Sequence, residues 1–240
     1  MEQQSLRGIL KEQDTIDRDG IFVAKDIAEK TVWDNLAIEN PTHAVISAKD
    51  ETDAAKKSET QIEDIKLHLE EGNVLLDLGT GYGRVAKYLL PQMQLGGYIG
   101  LDSAYQMLQL FKDRYTRSES EQETPLLLLN ADIHTIPLKN DSVDVAIVCA
   151  VFLHNHKNIV ERSMSELTRV IKPGGKMLVY SSFPRSATIM GLQGAFYQIL
   201  LNLLGKPYKN GPVRYYRHKE LSKLFTSFTE VELFPLGYSV

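Results

Sequence analysis

A carboxylate followed by glycines at every second position, Asp77, Gly79, Gly81 and Gly83, stands between an apolar run, Val74 to Leu76, and the residues Val85, Ala86, Tyr88, Leu89 and Leu90. The apolar spacing after the glycines suits a helix with one buried face, so the stretch reads as strand, glycine turn and helix. Glycine has no Cβ and tolerates positive φ, which lets a ligand lie close to the backbone. A helix N-terminus behind the turn adds N–H groups that no helical carbonyl takes. This arrangement can hold a nucleotide-type ligand. The same residues also suit a strand-to-helix connection that is merely rich in glycine, because a lone glycine motif is a weak signal.

The elements around the turn follow from the rest of the chain. Upstream, Asp26 to Leu36 has helical spacing (Ile27, Val32, Trp33, Leu36), and a second helix from about Ser58 to Leu69 leads to the stop at Glu71-Gly72-Asn73. Met1 to Gly20 mixes charges of both signs with little periodicity and reads as a frayed or weakly docked terminus. Downstream, Tyr98 to Leu101 is a second strand closed by Asp102, Leu126 to Leu129 a third ending at Asn130-Ala131-Asp132, Val143 to Val151 a fourth and Lys176 to Tyr180 a fifth. The fourth is a continuous apolar run of the kind covered on both faces of a parallel sheet. Helices fall between the strands, including one at roughly Asn158 to Ile171. Alternation of this kind makes right-handed βαβ units and an α/β, doubly wound sheet. Ligands of such sheets lie beyond the carboxyl ends of the strands. Asp77, Asp102 and Asp132 all fall there. A set of carboxylates suits a ligand that offers donors, such as ribose hydroxyls, an exocyclic amine or a cationic centre, and repels phosphate.

Composition narrows the classes. A chain of 240 residues can bury about 70–75% of its unfolded surface as one domain. The single cysteine, Cys149, excludes an internal disulfide framework, suits a reducing compartment and reads as a core residue. The first twenty residues are mostly polar or charged and do not resemble a signal peptide, and the greasiest stretch, Phe196 to Leu204, is interrupted by Gln198 and Asn202. A cytoplasmic protein with no membrane span is expected. The net charge of −4 gives no basic field to gather nucleic acid.

Four segments in register resemble the class I S-adenosylmethionine-dependent methyltransferases, specifically the small-molecule type of ubiquinone and menaquinone biosynthesis. VLLDLGTGYGR from Val74 is similar to that family's D-x-G-x-G-x-G motif, and GLDSAYQML from Gly100 to its second, acidic motif. Asn130 to Asn155 is similar to the run that carries its third motif, and Glu166 to Tyr180 to its E-x-x-R-V-L-K-P-G-G segment. The resemblance implies a Rossmann-like, doubly wound seven-stranded sheet with the last strand antiparallel, and S-adenosyl-L-methionine as cofactor with no metal. It implies Gly79 and Gly81 against the methionine moiety, with Gly83, Ser103 and Met107 in the same cofactor-binding set. Asp102 would take the ribose hydroxyls, Asp132 the adenine amine and Ile133 the ring. Asp77 would orient the glycine loop and the ligand's ammonium, which the backbone around Cys149 would help hold. Ser103 departs from the apolar residue usual at its position, Val143 replaces the usual Phe, and Phe234 to Val240 leaves room only for a short closing hairpin. A dinucleotide fingerprint is the rival, but it needs G-x-G-x-x-G, and Arg84 occupies its third slot.

A single domain over 1–240 is expected, with a helical cap at 1–70, the cofactor-binding core at 71–181, a helical lid insertion at 182–217 and a final helix with terminal strands at 218–240. His154, just past the fourth strand, is the candidate general base, with local capping of the strand end as the alternative. Trp33, Tyr215 and Tyr216 are candidates for substrate binding, although an aromatic placed like Trp33 more often packs a helix and a surface turn is the default for the tyrosines. The lid equally suits a packed helix or a dimer contact, so a monomer or homodimer is expected. The activity implied is methyl transfer to a small apolar or aromatic acceptor. A tRNA wobble-base methyltransferase, against which the acidity counts, and a non-catalytic S-adenosylmethionine-binding protein are the alternatives.

Overall fold

The apolar runs send alternate side chains to two faces of one sheet, and each face collects its own helices. The computed structural model describes residues 6–27, 34, 35, 50–116, 124–180, 196 and 218–230. Its strands are β1 (Thr15–Arg18), β2 (Ile21–Ala24), β3 (Val74–Leu78), β4 (Gly97–Asp102), β5 (Leu126–Asn130), β6 (Val143–Cys149) and β7 (Ile171–Tyr180). The helices are α1 (Glu51–Leu67), α2 (Arg84–Leu89), α3 (Tyr105–Thr116), α4 (Lys157–Val170) and α5 (His218–Leu224). Leu75, Tyr98, Leu128 and Ile147 meet Ile62 and Ile65 of α1, Leu89 of α2 and Leu108 and Phe111 of α3. Leu76, Ile99, Leu129 and Val148 face the other way, onto Val160, Met164 and Leu167 of α4.

The strand order is β1-β2-β5-β4-β3-β6-β7, and every neighbouring pair is parallel except β1 with β2. From β3 the chain moves outward through β4 to β5, then crosses over to β6 and β7. The topological switch therefore lies between β3 and β6, where a doubly wound sheet opens its ligand crevice. The Pro173-Gly174-Gly175 turn sits within β7, where the pairing slips from Val143 opposite Ile171 to Val145 opposite Lys176.

The seven strands and the one antiparallel partner stand, but the antiparallel strand described is β1 at the N-terminal edge. The expected antiparallel last strand falls in residues 231–240, outside the described residues. The reading of Met1 to Gly20 as frayed is corrected over residues 6–20, residues 1–5 lying outside the described ones: Leu6 and Leu10 are each 2% exposed, the Lys11 N–H donates to the Pro137 carbonyl at 3.0 Å, and the Lys139 N–H to that of Ile9 at 2.8 Å. Residues 15–24 are a β-hairpin rather than part of a helical cap. Its two loop residues, Asp19 and Gly20, both have positive φ, 56° and 77°, the conformation that matches the twist of the strands it joins.

Helix α1 starts earlier than the sequence suggested, because Asp50 caps it: its Oδ1 accepts the Asp53 N–H at 2.9 Å. Of the expected helix at Asp26 to Leu36, residues 34 and 35 are helical, and Trp33 lies outside the described residues. Within the expected lid, Phe196 alone is described, helical and 69% exposed; Tyr215 and Tyr216 lie outside.

Candidate functional site

The glycine turn is tied at each step to the end of β4. The Gly79 and Thr80 N–H groups both donate to the Leu101 carbonyl, at 2.7 and 3.0 Å, and the Gly81 N–H donates to Asp102 Oδ2 at 2.8 Å. Gly79, Gly81 and Gly83 hold φ of 76°, 56° and 78°, a region that side chains with a Cβ seldom enter. Bareness is also required by the neighbours. A Cβ on Gly79 would sit 2.3 Å from Cγ2 of Val151, and one on Gly83 would sit 2.3 Å from Cδ2 of Phe111.

The acids divide into two kinds. Asp77 is 1% exposed and lies beneath the turn, where its Oδ2 accepts the Tyr98 hydroxyl at 2.5 Å and the Thr80 hydroxyl at 2.7 Å. Burial raises its pKa, and the two hydroxyls and the Arg84 guanidinium pull it back. Asp102 is half-buried at the crevice edge, with Oδ1 accepting the Ala104 N–H at 2.9 Å. Burial pushes its carboxyl up to about 6, against the two backbone N–H bonds and with the help of the Asp77 and Asp34 charges. Such a carboxylate has lone pairs left for a donor-rich ligand.

Around Asp102, Ser103 is half-buried and Met107 is 2% exposed, packed with Tyr82 and Ala104. Asp132 is half-buried beyond β5, while Ile133, 8% exposed, belongs to the core on the α4 face. Two residues that carried no signal in sequence matter here. The Asn130 side-chain amide donates to the carbonyls of Asp102 and Ser103, both at 3.0 Å, and so shapes the bend that presents the acid. The second is Arg84, buried at 5% exposure, which donates to Ser58 Oγ at 3.0 Å and Gln61 Oε1 at 2.7 Å. Both partners come from α1, far along the chain. Beyond β5, a cavity of about 530 Å³ lies against Val23, Lys25, Asp34, Tyr105, Gln106 and Asn130, within the range of small-molecule sites.

Across the switch point, Cys149 ends β6. It is half-buried at the rim of the α1 face rather than inside the core; its Sγ accepts the Gln61 Nε2 donor at 3.4 Å, and burial pushes the thiol up to about 12. It is therefore a thiol at neutral pH, not a nucleophile. The next residue, Ala150, has φ of 57°, and its N–H donates to the Tyr180 carbonyl at 2.8 Å. A 3₁₀ turn, Phe152–His154, follows, closed by the Asn155 side chain donating to the Val151 carbonyl at 3.0 Å. His154 is half-buried on this turn. Val151, at the head of this turn, is the residue that a Cβ on Gly79 would meet. Among the described residues, no group of His, Cys, Asp or Glu could hold a metal ion, and no helix is long and apolar enough to cross a membrane.

Residues 76–179 match the methyltransferase domain family. The chain is 27% identical over 143 residues to the ubiquinone/menaquinone biosynthesis C-methyltransferase UbiE of Syntrophotalea carbinolica, covering 58% of this chain and 57% of that protein. It is 32% identical over 143 residues to the 2-phytyl-1,4-naphtoquinone methyltransferase of Nostoc punctiforme, covering 59% of each. The chain thus spans little more than half the length of these relatives. The YcgJ protein of Bacillus subtilis shares the fold, with a TM-score of 0.57 at 19% identity over 70% of this chain and 67% of that one.

Proposed function

From the premise that residues 76–179 are a class I S-adenosylmethionine-dependent methyltransferase domain, we propose that the chain transfers a methyl group from S-adenosylmethionine to a small apolar or aromatic acceptor. The observation that carries the reading is Asp102: a half-buried carboxylate at the end of β4, fixed by backbone N–H groups of the glycine loop and of α3's approach. It fits the cofactor's ribose donors, and the third glycine at Gly83 with Arg84 behind it departs from the dinucleotide spacing.

When bound, the cofactor supplies an electrophilic methyl on its sulfonium, so the protein's work is to orient and to exclude water. Asp102 would accept the ribose hydroxyls, and Asp132 the adenine amine with Ile133 against the ring. Gly79, Gly81 and Gly83 would let the cofactor lie on bare backbone beside Ser103 and Met107. Asp77 would set the loop from below, and the backbone at Cys149 would receive the ammonium. A ring nitrogen of His154 would take the proton from an acceptor that must lose one. The quinone-directed names of the two curated relatives support a ring-shaped apolar acceptor. Trp33, Tyr215 and Tyr216 would line its path.

Two measurements test this. S-adenosylhomocysteine at a hundred times Kd should stabilise the fold by about 2.7 kcal/mol, whereas NAD should leave it unmoved; the reverse overturns the cofactor. A labelled methyl-transfer screen across quinols, phenols, small acids and bulk tRNA should label the small aromatic acceptors. Labelling of tRNA alone would replace the acceptor class.

A further inference from the structure

We propose that Arg84 is a positioning residue that fastens α1 to the glycine loop, so that the docking of α1 and the binding of the cofactor strengthen one another. The inference rests on the cofactor reading above and adds a device to it.

A guanidinium that is 5% exposed is tolerated only where its donors and its charge are answered. Arg84 opens α2 directly behind Gly83, and its two described acceptors, Ser58 Oγ and Gln61 Oε1, are both on α1. The nearby Asp77 carboxyl, pushed up chiefly by burial, is drawn back by its two hydroxyl donors and, to a lesser extent, by the Arg84 charge. Asp77 in turn holds Thr80 inside the turn and Tyr98 on β4. The same stretch of α1 also reaches the other side of the switch point, because the Gln61 amide donates to Cys149 Sγ at the end of β6. One turn of α1 is thereby connected to both walls of the crevice. Three residues on, Asp64 Oδ2 accepts the Tyr180 hydroxyl at 2.5 Å, which anchors the helix to β7 as well.

If α1 lifts away, Arg84 loses the Ser58 and Gln61 acceptors, and the guanidinium directly behind Gly83 must find other partners, which shifts the start of α2 and the glycine loop joined to it. Linkage makes the effect reciprocal: a ligand that fixes the loop must also hold α1 down. The helix lies upstream of residues 76–179, so the coupling joins an element outside the matched domain to the cofactor loop. A purely structural role for Arg84 would lower stability without making α1 respond to the ligand.

The test measures hydrogen exchange in residues 51–67 with and without S-adenosylhomocysteine, using β5 as an internal reference, together with calorimetric Kd. In the wild-type chain the ligand should slow exchange in 51–67. Gln61→Ala, which removes one acceptor from the guanidinium, should raise Kd about tenfold and abolish most of that ligand-dependent slowing. Gln61→Glu keeps an acceptor for Arg84 while dropping the donor to Cys149, and should restore both; far-UV circular dichroism checks that each variant folds. A wild-type chain that binds the ligand without slower exchange in 51–67, or a Gln61→Ala variant with unchanged Kd and slowing, overturns the coupling alone. A folded wild-type chain that binds no S-adenosylhomocysteine overturns the cofactor reading and the coupling with it.

Discussion

The two strand ends that face each other across the switch point bend by opposite means. The end of β3 turns on glycines, the N–H groups of Gly79 and Gly81 taken up by Leu101 and Asp102 and that of Gly83 by Thr80, so the conformation is relaxed for the residues that adopt it. The end of β6 turns at Ala150, a residue with a Cβ held at φ 57°, a conformation that costs about 1–2 kcal/mol outside glycine. It persists because Tyr180 takes its N–H and because Val151 is wedged over Gly79. The space left by one glycine is what the strained turn fills. The comparison teaches that the glycines serve the protein's own packing as much as any ligand, and that each strand end depends on the other.

Filling that space should have the largest effect. Gly79→Ala puts a Cβ at positive φ and 2.3 Å from Val151, and should lower stability by about 3 kcal/mol, read by denaturant unfolding. Pairing it with Val151→Ala should recover more than half of the steric part; strict additivity would show that the two ends are independent.

Next comes the acid that only one side of the crevice possesses. Asp102→Asn should weaken S-adenosylhomocysteine roughly 100-fold, from the loss of charge-assisted bonds. In the wild type, affinity should climb as pH rises through about 6, the value to which burial lifts this carboxyl, because the ionised form accepts hydroxyl donors. The unliganded fold should respond in the opposite sense. A raised carboxyl means that the folded state holds its proton longer than the unfolded state does, so the Asp102 contribution to stability fades as pH climbs from the ordinary carboxylate range through 6. Calorimetric titrations and unfolding curves at a series of pH values check both slopes, and Asp102→Asn should flatten them.

A smaller loss separates the acid below the loop from the acid at its edge. Tyr98→Phe removes one of the two hydroxyl donors to Asp77 and should cost about 1–2 kcal/mol of stability, while affinity corrected for folding stays within a few-fold. The smallest effect should be a gain: Ala150→Gly relieves the strained φ but loosens the unfolded chain, for a net of about 0.5 kcal/mol, visible as a slightly higher melting temperature. A loss there would show that Ala150 is not strained.

The sheet and the glycine turn were legible in sequence because their signals are local: apolar runs of strand length, acids at their ends and glycines in a fixed spacing. The N-terminal hairpin was also signalled, by Asp19-Gly20 between Thr15–Arg18 and Ile21–Ala24, but the mixed charges around it masked the pattern. Arg84 and Asn130 gave no signal. Their importance lies in partners remote in sequence, Ser58 and Gln61 for one and the carbonyls of Asp102 and Ser103 for the other. The same holds for Cys149, which an apolar run suggested as core, whereas its partner Gln61 lies 88 residues away along the chain, on a helix the sequence shows but does not place against β6.

The hairpin carries a consequence for how the molecule assembles. Ile21 pairs with Leu128 and Val23 with Asn130, so β2 cannot find its neighbour until more than half the sheet has been synthesised. During translation this apolar strand, IFVA, waits exposed while βαβ units form behind it, a delay typical of pairings between distant segments. Docking of the hairpin should therefore wait on β3, β4 and β5, and an early-growing chain should depend on its charged flanks, Asp17, Arg18 and Asp19, to keep that strand from pairing with another ribosome's product.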